Sequence, residues 1–222
     1  MTPFATILER AQKRAGGAAA LKAQLPEPRT DDELRAESDD RYLSLMSLRA
    51  FRAGLRHALV DAKWPAFEEV YFGFEPRRIT AMSDDDLQRL MGDRRLIRHW
   101  GKIKAVRNNA AAMLAVAEAY GSFGGYLAGW PSTEIVKLWD DLAKRCSQMG
   151  GNSGPYFLRM AGKDTFVLTG DVVTALATYG VIDDKPSSKR ERAIVQEAFN
   201  RWSKESGRPL CQLSKILALA VG

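Results

Sequence analysis

Five consecutive residues between two helical stretches carry the first hint of chemistry. Gly150, Gly151, Asn152, Ser153 and Gly154 follow a helix that ends near Gln148, and Pro155 stands where the next helix begins, the favoured first position for proline. Glycines admit positive φ and let a partner come close to the backbone. Successive free amides at a helix N-terminus make an anion site. Helix, glycine hairpin, helix is an arrangement that grips a DNA phosphate without reading bases. An ordinary αα-turn with glycine caps is the plain alternative.

Past the hairpin, Gly162-Lys163-Asp164 closes the second helix. The extended run Thr165–Thr169 then leads to Gly170-Asp171. Asp171 opens a helix of Val172, Val173, Ala175, Leu176 and Tyr179. An Asp at a helix start is commonly a cap. It is also a carboxylate placed where chemistry on DNA held by the hairpin would use a negative charge.

The elements that must position these groups read as helix after helix. Leu43, Met46, Ala50, Phe51, Gly54, Leu55, Ala58, Leu59 and Ala62 step by three and four, which predicts one amphipathic helix with a buried face. Pro65 is expected to end it or to start the next turn. Ser83 with Asp86 forms a capping-box start, with Gly92 as its stop. The longest helical pattern covers 96–118, with Gly121, Gly124 and Gly125 expected to break it. Pro131-Ser132 opens a helix through Leu142. Ser188 with Glu191 repeats the capping pattern, and Gly207-Arg208-Pro209 precedes a last helix, Leu210 to Ala220. Only Thr165–Thr169 alternates like a strand, and one such segment makes no sheet. The fold class is therefore all-α.

Composition bounds the function. The chain has 222 residues, 33 Lys+Arg against 27 Asp+Glu and a hydrophobic fraction of 45%, enough to bury a core. Two cysteines and two histidines cannot build a disulfide scaffold or a four-cysteine metal site. The first residues carry Glu9, Arg10, Lys13 and Arg14 where a signal peptide needs an apolar core, and no run approaches ~18 apolar residues. No membrane association is expected, and the cytoplasm, in association with the nucleoid, is the expected location.

Charge is uneven along the chain. Residues 26–41 carry seven acids against three arginines and predict an acidic surface connection. Segment 84–107 has seven Lys/Arg (Arg89, Arg94, Arg95, Arg98, Lys102, Lys104, Arg107) against four Asp, and 185–208 has seven against three Glu. Each basic segment fits a polyanion or a solvated face equally well.

The hairpin with its downstream Asp resembles the helix-hairpin-helix superfamily of DNA glycosylases. A second stretch narrows the likeness: AGL (53–55), GFEP (73–76), ITAM (79–82), DLQRL (86–90) and LIRHWGKIKAVRNNA (96–110) are similar to the 3-methyladenine DNA glycosylase I family. The resemblance covers about 40–215 and implies a helix-hairpin-helix glycosylase-like fold. On that basis residues 1–41 are an N-terminal helix and acidic connection, and 42–222 a helical domain with the helix-hairpin-helix at about 134–161. It also implies a monofunctional glycosylase, acting as a monomer on double-stranded DNA with alkylated bases. A non-enzymatic DNA-binding or damage-sensing protein is the other reading.

Site residues follow from the resemblance. Asp171 is the expected catalytic carboxylate. If the superfamily pattern is laid on the valine and leucine that follow, Thr169 takes its position instead. The hairpin residues Gly150, Gly151, Asn152, Ser153 and Gly154 would bind DNA. Arg49 and His57 stand where family members carry a pocket carboxylate and a tryptophan. Trp64, Tyr71, Trp100 and Tyr42 are candidates to stack on a flipped base, with core packing as the alternative for each. The zinc ligands of the best-known members are missing, so no metal and no cofactor are expected. The hairpin's second helix offers no lysine for a Schiff base, so strand cleavage is not expected.

Overall fold

The computed structural model describes residues 2–221. The described chain is helical throughout: α1 (Phe4–Ala15), α2 (Ala18–Lys22), α3 (Asp31–Ala36), α4 (Asp39–Arg52), α5 (His57–Val70), α6 (Pro76–Thr80), α7 (Asp84–Leu90), α8 (Trp100–Tyr120), α9 (Phe123–Ala128), α10 (Ile135–Arg145), α11 (Ser153–Ala161), α12 (Gly170–Thr178), α13 (Lys189–Ser206) and α14 (Leu210–Val221). No described residue lies in a strand. No helix is long and apolar enough to cross a membrane.

The chain divides into two compact units, each discontinuous in sequence. One contains the chain up to Arg29, Pro131–Leu138 and the chain from Gly162 on; the other contains Thr30–Trp130 and Trp139–Ala161. This differs from a boundary at residue 41. The acidic segment is more than a connection, because α3 lies within it. Thr30 and Glu33 cap α3 reciprocally, and buried Leu34 packs it against α9 in the same unit. The Tyr42 hydroxyl donates to the Leu34 carbonyl at 2.7 Å.

In the first unit, α14 is the central element and packs against α1, α12 and α13. Its apolar positions Leu213, Ile216 and Leu217 are fully buried. Phe166, from the extended run 165–169, stacks on Phe199 of α13 at 4.0 Å between ring centres. That run gains no ladder partner. The Val167 amide instead donates to the Ser214 hydroxyl at 3.2 Å. The Asp164 carboxylate caps α14 by accepting from the Leu210 and Cys211 amides at 3.0 and 2.8 Å.

In the second unit, α8 packs against α4, α6 and α9. The stripe from Leu43 to Ala62 is two helices rather than one. Gly54, at φ +76°, turns the chain between α4 and α5, and Lys102 takes up the carbonyls that α4 leaves unpaired. Its Nζ donates to Ala53 at 2.6 Å and Phe51 at 3.3 Å. Periodicity alone cannot see that break, because the apolar step continues across it. Pro65 sits inside α5 and neither ends nor starts it. The carbonyl it cannot satisfy belongs to the exposed Asp61, so water can take the bond. Gly121 does end α8, but Gly124 and Gly125 lie within α9. At Gly124 a side chain would collide with the Leu34 carbonyl of α3.

Candidate functional site

The hairpin runs from Cys146 to Asn152, between α10 and α11. Two backbone bonds close it: Ser153 N–H donates to Gly150 C=O and Gly154 N–H to Met149 C=O, both at 3.1 Å. Ser153 and Gly154 already belong to α11, so Pro155 is the third helical residue rather than the first. Gly151 has φ +57°, and a Cβ on Gly154 would sit 3.0 Å from the Met149 carbonyl. A side chain would strain the backbone at Gly151 and crowd the Met149 carbonyl at Gly154. Gly150 meets neither constraint, so its place on the exposed tip is open to substitution. Among the described residues the amides of Gly150 and Gly151 make no backbone–backbone hydrogen bond, which suits an anion site.

A residue that sequence reasoning missed holds the hairpin in place. Asn109 of α8 donates to the Ser147 carbonyl at 3.1 Å and accepts from the Ser147 amide at 2.7 Å. Its signal was an asparagine in step with the buried apolar positions Val106, Ala110 and Met113 of α8, where a buried amide needs partners. Asn109 is 1% exposed.

The six pocket candidates fall into different environments. Tyr42 and Tyr71 are core residues, which corrects their place among stacking candidates. Both are 0% exposed, so neither ring can meet a base. The Tyr42 ring packs on Phe123, and Tyr71 donates to the Ile103 carbonyl at 3.4 Å. Burial pushes the Tyr71 phenol well above its ordinary value.

Trp64 is partly buried and stacks against Phe67 and Phe74 at 5.0 and 5.4 Å. Its indole N–H donates to the Ser44 hydroxyl, which in turn donates to Glu68. Arg41 then bridges Glu68 and the Gly73 carbonyl. The polar edge of Trp64 is thus committed to a network that fixes the turn 72–74.

Trp100 opens α8, partly buried, with the Lys104 ammonium 5.1 Å from its ring centre. His57 is exposed at the first position of α5. Arg49, on the last turn of α4, lays its guanidinium 4.7 Å from the ring centre of Tyr156 on α11. Its Nε is sealed from solvent and has no hydrogen-bond partner. Burial lowers the Arg49 pKa, Tyr156 opposes that shift and Arg52 adds to it. Burial, then the charge of Arg49, lowers that of Lys102.

In the other unit, the extended run ends at Thr169, the N-cap of α12, whose hydroxyl accepts from the Val172 amide at 3.3 Å. The cap of this helix is therefore Thr169 rather than Asp171, which is exposed in the first helical turn. No three His, Cys, Asp or Glu side chains come together as a metal-binding group among the described residues.

The basic segments are not uniform. In 84–107, Arg89 pairs with Asp86, Arg95 with Asp93 and Glu69, and Arg107 with Asp84. Arg94 and Arg98 remain exposed. In 185–208, Arg201 pairs with Glu205, while Lys185, Lys189, Arg190 and Lys204 are exposed.

Residues 33–185 match the methyladenine glycosylase family. The chain belongs to that family. Among curated glycosylase relatives, it is 34% identical over 83 residues to DNA-3-methyladenine glycosylase 1 of Escherichia coli, covering 37% of this chain and 44% of that protein. It is 31% identical over 80 residues to DNA-3-methyladenine glycosylase of Haemophilus influenzae, covering 36% and 43%. The chain thus spans less than half the length of the curated relatives it matches. Among solved glycosylases, a mutant of 3-methyladenine DNA glycosylase I from Staphylococcus aureus matches with a TM-score of 0.52 at 26% identity, over 56% of this chain and 77% of that one. An 8-oxoguanine glycosylase/lyase of Methanocaldococcus jannaschii shares the fold at 11% identity, with a TM-score of 0.54 over 96% of this chain and 95% of that one.

Proposed function

We propose that this chain is a monofunctional DNA glycosylase of base excision repair, hydrolysing the bond between deoxyribose and an alkylated purine. The observation that carries the reading is membership of the methyladenine glycosylase family across 33–185. A solved relative is a variant of 3-methyladenine DNA glycosylase I in complex with 3-methyladenine, which makes that base the first to test. The proposed partner is double-stranded DNA, met by a monomer in the nucleoid.

The chemistry fits the residues. A base inside a duplex is unreachable, so the enzyme must flip it out. The hairpin would hold a backbone phosphate through the Gly150 and Gly151 amides without reading sequence. Asp171 would place negative charge near the sugar as it acquires oxocarbenium character, and would orient the attacking water. Helix α11 contains no lysine, so no Schiff base forms from it and the strand stays intact. Trp100, at the start of α8, is the aromatic proposed to meet the base.

Release of bases from methylated duplex DNA, followed by chromatography, tests the reading. The wild-type protein should release alkylated purines and Asp171→Asn should not. No release from any lesion would sink the enzyme reading. The second reading, a DNA-damage sensor without turnover, is favoured by Arg49 and exposed His57 at positions where the family resemblance puts a carboxylate and a tryptophan. A protein that binds damaged duplexes with preference and releases nothing would establish it.

A further inference from the structure

Arg49 is a partly buried cation without a counter-charge. Tyr156 covers its guanidinium and its Nε has no hydrogen-bond acceptor. The cations nearest to it are compensated. Arg52 pairs with Asp61 at 2.7 Å, and the Lys102 ammonium is turned onto the Phe51 and Ala53 carbonyls. Arg49 is only half-buried, so a ligand that brings an acceptor to the open part of this guanidinium supplies the partner that the cation lacks. Helices α4, α5, α8 and α11, all in one unit, supply these residues.

The sign of that charge discriminates between lesions. A purine methylated at N3 or N7 in DNA is a cation, and Arg49 repels it. A purine whose adduct leaves the rings uncharged keeps ring-nitrogen lone pairs that accept from a guanidinium. The two classes also leave differently. When the bond from C1′ to the purine breaks, the electron pair goes to the base. A cationic base departs neutral and gains nothing from a nearby positive charge. An uncharged base departs as an anion, which a guanidinium stabilises in the transition state. Water then adds its oxygen to C1′ and keeps one proton on the new hydroxyl; the other protonates the departed purine anion, or passes to solvent where the base left neutral.

We infer that Arg49 is a specificity-determining residue that turns this branch of the family toward uncharged alkylated purines with acceptor edges. The inference rests on the glycosylase reading and narrows its substrate class. The probes are duplexes carrying 1,N6-ethenoadenine, which is uncharged, or 7-methylguanine, which is cationic. The measurements are single-turnover base release and duplex affinity, for wild type and for Arg49→Gln, Arg49→Lys and Arg49→Glu, each first checked for folding by thermal denaturation. The wild type should favour the etheno lesion by roughly tenfold or more. Arg49→Lys should keep that order, Arg49→Gln should flatten it and Arg49→Glu should reverse it. A wild-type preference for 7-methylguanine that Arg49→Glu leaves unchanged would overturn the inference. If the wild type releases neither base, the glycosylase reading fails on its own. The affinities then still decide: equal binding of the two duplexes refutes the charge preference, and tighter binding of the etheno duplex lost in Arg49→Gln supports it.

Discussion

The side-chain amide of Asn109 closes on the backbone of Ser147 from both sides, donating to its carbonyl at 3.1 Å and accepting from its amide at 2.7 Å. One buried residue on α8 thereby fixes the point where the chain leaves α10 for the hairpin. Removing it should cost about 1–3 kcal/mol, the penalty for stranding buried polar groups. Asn109→Ala is therefore expected to lower the urea midpoint and to weaken binding to an undamaged duplex. Asn109→Asp, which keeps only the acceptor, should fall between the two. Duplex affinity equal to wild type in Asn109→Ala, measured by anisotropy, would separate the clamp from DNA binding.

Gly150 offers a cleaner test of the hairpin than its neighbours. It has open space for a side chain and no positive φ, so Gly150→Glu should fold with an unchanged melting temperature. The new carboxylate at the tip should repel phosphate and weaken duplex binding by about tenfold at low salt. Gly154→Glu should also weaken binding, but with a loss of stability, because its Cβ would press on the Met149 carbonyl. Unchanged affinity in Gly150→Glu would remove the hairpin from the interface.

Thr169 and Asp171 can be told apart by what each change costs. Thr169 accepts from the Val172 amide as the α12 cap, so Thr169→Ala should lose about 1 kcal/mol of stability. Asp171 is exposed and forms no such cap bond, so Asp171→Asn should leave stability within about 0.5 kcal/mol of wild type. Base release should collapse in Asp171→Asn and persist in Thr169→Ala. The opposite pattern would assign the chemistry to Thr169.

The cap of α13 gives a pH prediction. Bonds from the Ser188 and Ser187 amides, then from their hydroxyls, hold the Glu191 carboxyl down from its ordinary 4.5 to about 2. The folded state thus binds this proton less readily than the unfolded chain. The cap's contribution is fully present above pH 4.5 and is lost as the pH falls through the folded value of about 2. The difference in melting temperature between wild type and Glu191→Gln should be constant near neutrality and shrink across that interval. A constant difference down to pH 2.5 would refute the shift.

What could be read from the sequence is what depends on neighbours in the chain. The capping pairs Ser83 with Asp86 and Ser188 with Glu191 form as their three-residue spacing predicts. Local hydrogen bonds need only that spacing. Helical periodicity gave the all-α class for the same reason, and the 96–110 block gave the family. Periodicity failed at Gly54, where the apolar step runs on while the helix does not. There a lysine forty-eight positions later (Lys102) takes the last carbonyls of α4.

Tertiary structure alone decided which aromatic rings are core and which charges are compensated. Tyr42 and Tyr71 are as aromatic as Trp100, yet both are sealed, because burial depends on which helical faces meet. Arg95 and Arg107 are as basic as Arg98, yet distant carboxylates neutralise them. Arg49 meets Tyr156 across more than a hundred residues of chain. The sequence by itself determined the helices, their caps, the glycine hairpin and the family. The contacts of Asn109, Lys102 and Arg49 had to wait for the fold, because partners so far apart in sequence are chosen by packing and not by spacing.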